Sequence, residues 1–292
     1  MEENVIVLPG TKWQIPLVQK LKRRGYRVVV LDCYEEQPAY QYADEYRIVD
    51  ILDKERVYDI AKEYSAVAVL SDECDIATPT IAWVSEKLRK PSIGMEMADL
   101  YTNKYSMRDF AKKHGFATPV FYKCFSKEEA VAAYEQYGKK MIMKPLDGNS
   151  SRGVFSICST QDIKEHFDES MKYSKKEKCV LVEEYIDGEE FSVDGIKTED
   201  GYYTLAIAHK KHYETNENLD QELIFKYSDS VYDYDLLRQT NQNYVQATGL
   251  KFGLTHAEYK FQNGKFYLIE IGARGGGNLL SGVIDPEMTG IQ

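Results

Sequence analysis

Two glutamates near the end of this 292-residue chain, Glu258 and Glu270, are spaced to do metal chemistry. They lie in Thr255-His256-Ala257-Glu258-Tyr259-Lys260-Phe261 and Phe266-Tyr267-Leu268-Ile269-Glu270-Ile271. These segments read as the arms of a β-hairpin around Gln262-Asn263-Gly264. Side chains alternate between the faces of a strand. One face is therefore expected to carry Ala257, Tyr259, Phe261, Tyr267, Ile269 and Ile271 as core, and the other His256, Glu258, Lys260, Leu268 and Glu270. Matching those faces calls for an odd loop with Gly264 as a left-handed bulge residue. That register brings the two carboxylates together. Like charges on neighbouring strands repel. A divalent cation that takes protein carboxylates, phosphate oxygens and waters removes the repulsion. The plainer alternative, a solvated glutamate or one paired with Lys260 or Arg274, stays open.

A second chemical signal is Met141-Ile142-Met143-Lys144-Pro145, which ends an apolar strand in a lysine, followed by Asp147-Gly148-Asn149-Ser150-Ser151-Arg152-Gly153. Amides, hydroxyls and a cation with little bulk can fold over phosphates. Lys-Ser/Thr does not follow Gly153, so this is not a Walker A loop. A mobile surface connector is the alternative. A third signal is the strand Val180–Ile186, which leaves its buried end through Glu183 and Glu184 toward Asp187, Glu190 and Asp194. Near the N-terminus, Gly10 after a first strand and Asp32 at the end of a second imitate a dinucleotide fingerprint. Gly-x-Gly-x-x-Gly is missing, which favours a tight turn and a capping or surface aspartate.

Elements must hold these groups. Up to residue 98, apolar strands (Val5–Leu8, Arg27–Asp32, Tyr46–Ile51, Ala66–Ser71) alternate with helical stretches at 14–24, 53–64 and 79–89. This predicts an α/β domain with a parallel sheet. From residue 99 the rhythm becomes α+β: helices at 103–114, 126–137, 161–173 and 235–247 among strands and hairpins. Residues 212–232 show no clear period. Net charge is −10, which disfavours nucleic-acid and anionic-membrane partners. Five scattered cysteines without a Cys-x-x-Cys pair, and no membrane span or basic-then-apolar leader, predict a cytoplasmic protein.

The order of the motifs is specific: Asn103-Lys104-Tyr105-Ser106-Met107, Met143-Lys144-Pro145, the Gly/Ser loop, Val182-Glu183-Glu184-Tyr185-Ile186, Glu190-Phe191-Ser192-Val193-Asp194, His256-Ala257-Glu258 and Ile269-Glu270-Ile271-Gly272-Ala273-Arg274. Over nearly the whole chain this resembles the ATP-grasp superfamily, with carbamoyl-phosphate synthetase, biotin carboxylase and amino-acid ligases as the nearer relatives. The resemblance implies a pre-ATP-grasp domain (1–98) and a two-lobed ATP-grasp domain (99–292), with a lid lobe at about 118–186 and a catalytic lobe at about 187–292. It implies ATP with Mg²⁺ or Mn²⁺ as cofactors. Lys104 and Lys144 resemble the phosphate-contacting lysines, and residues 148–153, with Gly148, Ser150, Ser151 and Gly153, the lid. The Glu183 side chain and the backbone of Glu184, Tyr185 and Ile186 resemble the adenine hinge. Glu190 resembles the ribose glutamate, Glu258 and Glu270 the metal ligands, and Arg274 the arginine at the phosphate or acyl intermediate. The family's asparagine two residues after the second glutamate is Gly272 here, with Asn278 as a candidate substitute.

The implied activity is an ATP-dependent ligase that turns a small carboxylate into an acyl-phosphate and joins it to an amine. A bicarbonate-using enzyme and a non-catalytic ATP-binding module are the alternatives. The implied partners are small-molecule carboxylate and amine substrates, and a homodimer is the family-level expectation. His209-Lys210-Lys211-His212 reads as a polar strand end, or as contacts to an anionic substrate.

Overall fold

The computed structural model describes residues 2–148, 151–175, 177–213, 216–277 and 280–290. It opens with β1 (Asn4–Val7), α1 (Ile15–Arg23), β2 (Arg27–Asp32), β3 (Glu45–Ile48), α2 (Lys54–Glu63), β4 (Ala68–Leu70) and α3 (Thr78–Leu88). The strands form one parallel sheet in the order β3-β2-β1-β4. Both faces of that sheet are covered, so its central strands are apolar throughout. Ile6, Val29 and Leu31 meet Val57, Ile60 and Val84 on one side, and Val5, Val7, Val28 and Val30 meet Val18 and Leu21 on the other. Asp32 is buried, and its Oδ2 accepts the Gly10 N–H at 2.8 Å. It thus caps the turn after β1.

The chain continues through α4 (Met95–Leu100), α5 (Lys104–Lys113), β5 (Phe121–Cys124), α6 (Lys127–Tyr137), β6 (Met141–Pro145), β7 (Phe155–Ile157), α7 (Thr160–Tyr173) and β8 (Val180–Glu184). Strands β5-β8-β6-β7 form an antiparallel sheet. Met141, Met143, Val180 and Val182 turn one face of it onto Ala130, Ala133, Ile163 and Phe167 of α6 and α7. Ser159 caps α7 through a reciprocal box with Asp162.

A second antiparallel sheet, ordered β11-β10-β9-β12-β13, holds β9 (Glu189–Lys197), β10 (Tyr202–Tyr213), β11 (Asn216–Phe225), β12 (Gly253–Gln262) and β13 (Lys265–Gly272). Helix α8 (Tyr234–Thr248) packs on it together with α5, around Phe191, Val193, Tyr259, Leu268 and Ile271. A π-turn, Leu280–Ile284, and α9 (Asp285–Thr289) follow. No helix among the described residues is long and apolar enough to cross a membrane.

Two elements depart from the sequence reading. Strand β11 lies within the stretch expected to have no period. It is an edge strand, and register shifts on either side of His212 break its alternation. The hairpin β12–β13 does bring Glu258 opposite Glu270, but by another route. Gln262 pairs with Lys265 across a two-residue Asn263-Gly264 turn, with φ of 52° and 74° at its centre. This is the primed turn that Asn-Gly favours, not the odd loop. A bulge at Ile269 then restores the register, since Tyr259 pairs with Leu268 while Glu258 pairs with Glu270. Phe266 and Leu268, not Tyr267 and Ile269, are therefore the buried residues near the turn.

Candidate active site

A cavity of about 380 Å³ opens between the two antiparallel sheets and against the loop after β4. Lys104, Lys144, Gly148, Ser151, Tyr185, Glu190, Glu258, Glu270 and Arg274 all line it. Residues from six separate segments of the sequence thus converge on one cleft.

Helix α5 supplies two of the groups around it from one face, because i and i+4 are neighbours on a helix. Asn103 caps the helix, its side chain accepting from the Tyr105 and Ser106 amides. This fixes Lys104 at the first turn, where its Nζ reaches Glu270 Oε1 at 2.7 Å and the Gly148 carbonyl at 2.9 Å. One turn on, the fully buried Arg108 donates to both oxygens of Glu183, at 2.8 and 3.2 Å. It also donates to the Ile269 carbonyl at 2.7 Å, the group that the bulge turns out of the ladder. Sequence reasoning missed Arg108. Its position, four residues after Lys104 and among charged neighbours, resembled an ordinary helix surface.

Glu183 is 2% exposed and forms a further ion pair with Lys144. Burial alone would raise its pKa, but Arg108 and Lys144 hold it down to about 2. Burial pushes Lys144 the other way, down to about 8, against the pull of Glu183. The Glu183 carboxylate is thus committed to two cations rather than turned to the cleft. The side chain expected to read a base is here bonded to Arg108 and Lys144. Glu184 is likewise engaged, its Oε2 accepting the Val120 N–H at 3.1 Å. Ile186 is buried. Two ammonium groups lie near the Tyr185 ring, Lys140 at 3.4 Å and Lys260 at 5.2 Å from its centroid. In the loop, Gly153 has φ of 74°, and a Cβ there would come within 2.6 Å of Tyr173. Ser150 and Asn278 lie outside the described residues.

On the other wall, Lys210 gathers three carboxylates: Glu190 at 2.7 Å, Glu258 at 2.9 Å and Asp220 at 3.3 Å. His212 stands between the remaining oxygens, 3.4 Å from Glu190 Oε2 and 3.4 Å from Asp220 Oδ1. Glu190 and Asp220 thus divide their oxygens between an ammonium and an imidazole. Although burial opposes it, these acids hold Lys210 above its ordinary range. Lys210 and His212 came from a segment for which the sequence left two readings open, and Asp220 was not anticipated at all.

The end of the cleft joins the parallel-sheet part of the chain to the segment after β13. Arg274 donates from Nε and an NH₂ group to the two oxygens of Asp75, at 2.9 and 2.6 Å. Gly272 lies against this pair: a Cβ there would fall 2.7 Å from Asp75 Oδ1. A larger residue at 272 would disturb the Arg274 clamp, which gives a steric reason for the glycine.

The donor set suits phosphate and a divalent cation. Each glutamate of the facing pair already carries an ammonium, Lys210 on Glu258 and Lys104 on Glu270. Lys210 is shared among three carboxylates, so negative charge exceeds positive on that wall and an added cation would relieve it.

The ATP-grasp domain family matches residues 137–282, half of the chain, and the PylC-like N-terminal domain family matches residues 6–90. The chain belongs to the ATP-grasp family. A formate-dependent phosphoribosylglycinamide formyltransferase of Prochlorococcus marinus strain MIT 9515 is 24% identical over 225 residues, covering 73% of this chain and 56% of the relative. The chain thus spans about half the length of the curated relatives it matches. Among solved structures, an L-amino acid ligase from Bacillus licheniformis superposes with a TM-score of 0.81 at 22% identity, covering 99% of this chain and 71% of that one. The biotin carboxylase domain of a 2-oxoglutarate carboxylase from Hydrogenobacter thermophilus, crystallised with MgADP and bicarbonate, gives 0.79 at 17% identity, covering 100% and 68%. These likenesses establish a shared fold.

Proposed function

We propose that this chain carries out an ATP-dependent ligation, activating a small carboxylate as an acyl-phosphate that an amine then captures. The observation that carries the reading is the facing pair Glu258 and Glu270, in one cleft with Lys104, Lys144, Lys210 and Arg274. Phosphoryl transfer asks a protein mainly for positioning and charge neutralisation, and this cleft is built from charge.

Glu258 and Glu270 would hold Mg²⁺ or Mn²⁺, which supplies charge neutralisation across the phosphates. Lys104 and Lys144 contact the phosphate chain. Glu183 and Arg108 hold the Lys144 ammonium in place. The backbone of Glu184, Tyr185 and Ile186 faces the base, and Glu190 the ribose. Residues 148–153, including Ser150, Ser151 and Gly153, cover the phosphates and keep water from the activated acid. Arg274, oriented by Asp75, meets the carboxylate being activated. We divide the chain near residue 98, where the parallel sheet gives way to the antiparallel ones. Five free thiols support a cytoplasmic location. A homodimer is the assembly we favour, after the dimer named for the carboxylase neighbour.

Incubation of the protein with MgATP and pools of small carboxylates and amines, read by mass spectrometry, is expected to release ADP and yield an amide-linked product. ADP release that needs bicarbonate alone would point to the carboxylase-type reaction. MgATP binding without any ADP release would overturn the ligase reading.

A further inference from the structure

The parallel sheet ends on one side in an open edge. Strand β3 is the last in the order β3-β2-β1-β4, and no strand among the described residues pairs with its outer side. Such an edge offers backbone N–H and C=O groups to another strand. Its side chains leave it open as well: Tyr46 is 48% exposed and Ile48 47%. Tyr34, Tyr42 and Leu52, from the chain on either side, are also exposed. The Tyr46 ring stacks at 4.2 Å on Tyr40, which packs with the core on the α1 side of the sheet. On the opposite face Glu45 pairs with Arg27 at 2.8 Å and with Arg47, and Arg47 reaches Glu63 at 3.8 Å. One face of the edge is thus aromatic and apolar. The other carries opposite charges two residues apart.

This pattern is complementary to itself. In an antiparallel ladder, hydrogen-bonded and non-hydrogen-bonded pairs alternate, and facing residues are of the same kind. A strand facing its own copy therefore has its two-fold axis through a residue, never between two. An axis through Glu45 sets that carboxylate against itself, and one through Arg47 does the same for the guanidinium. Like charges directly opposite are destabilising. An axis through Ile48 sets Arg47 against Val49 and carries Glu45 past the end of the strand, opposite the buried Ile51. Only an axis through Tyr46 sets Glu45 opposite Arg47 of the other copy, and does so twice. The four side chains then alternate in sign, while Tyr46 meets its copy on the other face.

We propose that the β3 edge is the interface of a homodimer, in which two copies pair antiparallel across a two-fold axis through Tyr46. The occupant is a second copy of this chain, because charge complementarity selects one register of the strand with itself. The two parallel sheets become one continuous sheet, and the exposed Tyr46 and Ile48 side chains are covered. A two-fold contact of this kind uses the same patch on both copies and closes on itself, which removes the open edge. The assignment rests on the homodimer favoured above and names its contact surface. It leaves both nucleotide clefts outside the interface.

Sedimentation velocity on the full chain, over a concentration series, is expected to show a dimer. Arg47→Glu sets a carboxylate opposite Glu45 and is expected to raise the dimer dissociation constant at least tenfold, with circular dichroism unchanged. Cross-linking reads the register directly and keeps the test open should that variant fold poorly. In a Cys33→Ser, Cys158→Ser background, which removes the exposed thiols, Tyr46→Cys is expected to give a covalent dimer on mild oxidation. Facing Cα atoms in a ladder lie about 4.5–5.5 Å apart, within reach of a disulfide. Ile48→Cys is expected to give none, since its copy would lie four residues along the ladder, roughly 13 Å away. A dimer that Tyr46→Cys does not cross-link, or that Ile48→Cys cross-links as well, refutes this interface and leaves the homodimer standing. A chain that stays monomeric throughout the series refutes the homodimer and the interface together.

Discussion

Lys144 shows how one residue's chemistry is set by what surrounds it. Its ammonium is buried beside Glu183, with the cations Arg108 and Lys104 nearby, and its pKa falls to about 8. In the free protein it is charged below that value and loses its charge as pH rises through it. If Lys144 meets the phosphates, MgATP affinity is expected to hold steady from pH 6.5 to 7.5. Above about pH 8 it should fall, by as much as tenfold per pH unit. Calorimetry across this range should find the break in wild type and not in Lys144→Met, which should bind weakly throughout. A flat profile in wild type would remove Lys144 from the phosphate site. The lysine and the two facing glutamates were legible in the sequence because a charged residue interrupting an apolar strand is conspicuous. Arg108 and Asp220 were not. Their importance comes from partners 75 residues away for Arg108–Glu183, and from a strand with no readable period for Asp220.

At the scale of elements, the hairpin β12–β13 combines two features that each seem to defeat the site. The Asn263-Gly264 turn sets a register that would put Glu258 and Glu270 on opposite faces, and the bulge at Ile269 undoes it. A shift of one residue along a strand exchanges its faces. Inserting one alanine between Ile269 and Glu270 should therefore keep the turn and the Phe266 and Leu268 packing while moving Glu270 to the position opposite Ala257, on the face away from the cleft. MgATP affinity is expected to drop by at least a hundredfold, with far-ultraviolet circular dichroism nearly unchanged. Retained affinity would show that the facing pair is not the metal site. Alternation alone could not reveal the bulge, because Tyr267 and Ile269 are as apolar as Phe266 and Leu268. The parallel strands were easier to read, since a strand buried on both faces is an unbroken apolar run.

The whole molecule depends on the junction where Asp72, Glu73 and Asp75 meet Arg274, Gly275 and Ser281. Glu73 is raised to about 7 there, chiefly by burial and then by Asp72. A carboxyl raised in the folded state binds its proton more tightly there than in the unfolded chain. Its contribution is fully present below the ordinary glutamate value and is lost as pH rises through about 7. Melting temperature is expected to decline between about pH 5 and 7.5, and the decline should be shallower in Glu73→Gln. Equal slopes in the two proteins would show that Glu73 is solvated rather than held at the junction. Such contacts span about 200 residues of sequence, as between Asp75 and Arg274, so the sequence could suggest a division of the chain but not how its parts touch.

Arg108 is bolted at once to β8, through Glu183, and to β13, through the Ile269 carbonyl, while Lys104 on the same helix grips the neighbouring Glu270. Helix α5 therefore ties the two antiparallel sheets together. If the two antiparallel sheets swing apart to admit a nucleotide, the strands it grips stay nearly still, and travel grows with distance from it. The widest excursions then fall to the outer strands β7 and β11, and the Lys104 contact with Glu270 is kept while the rest of the mouth opens.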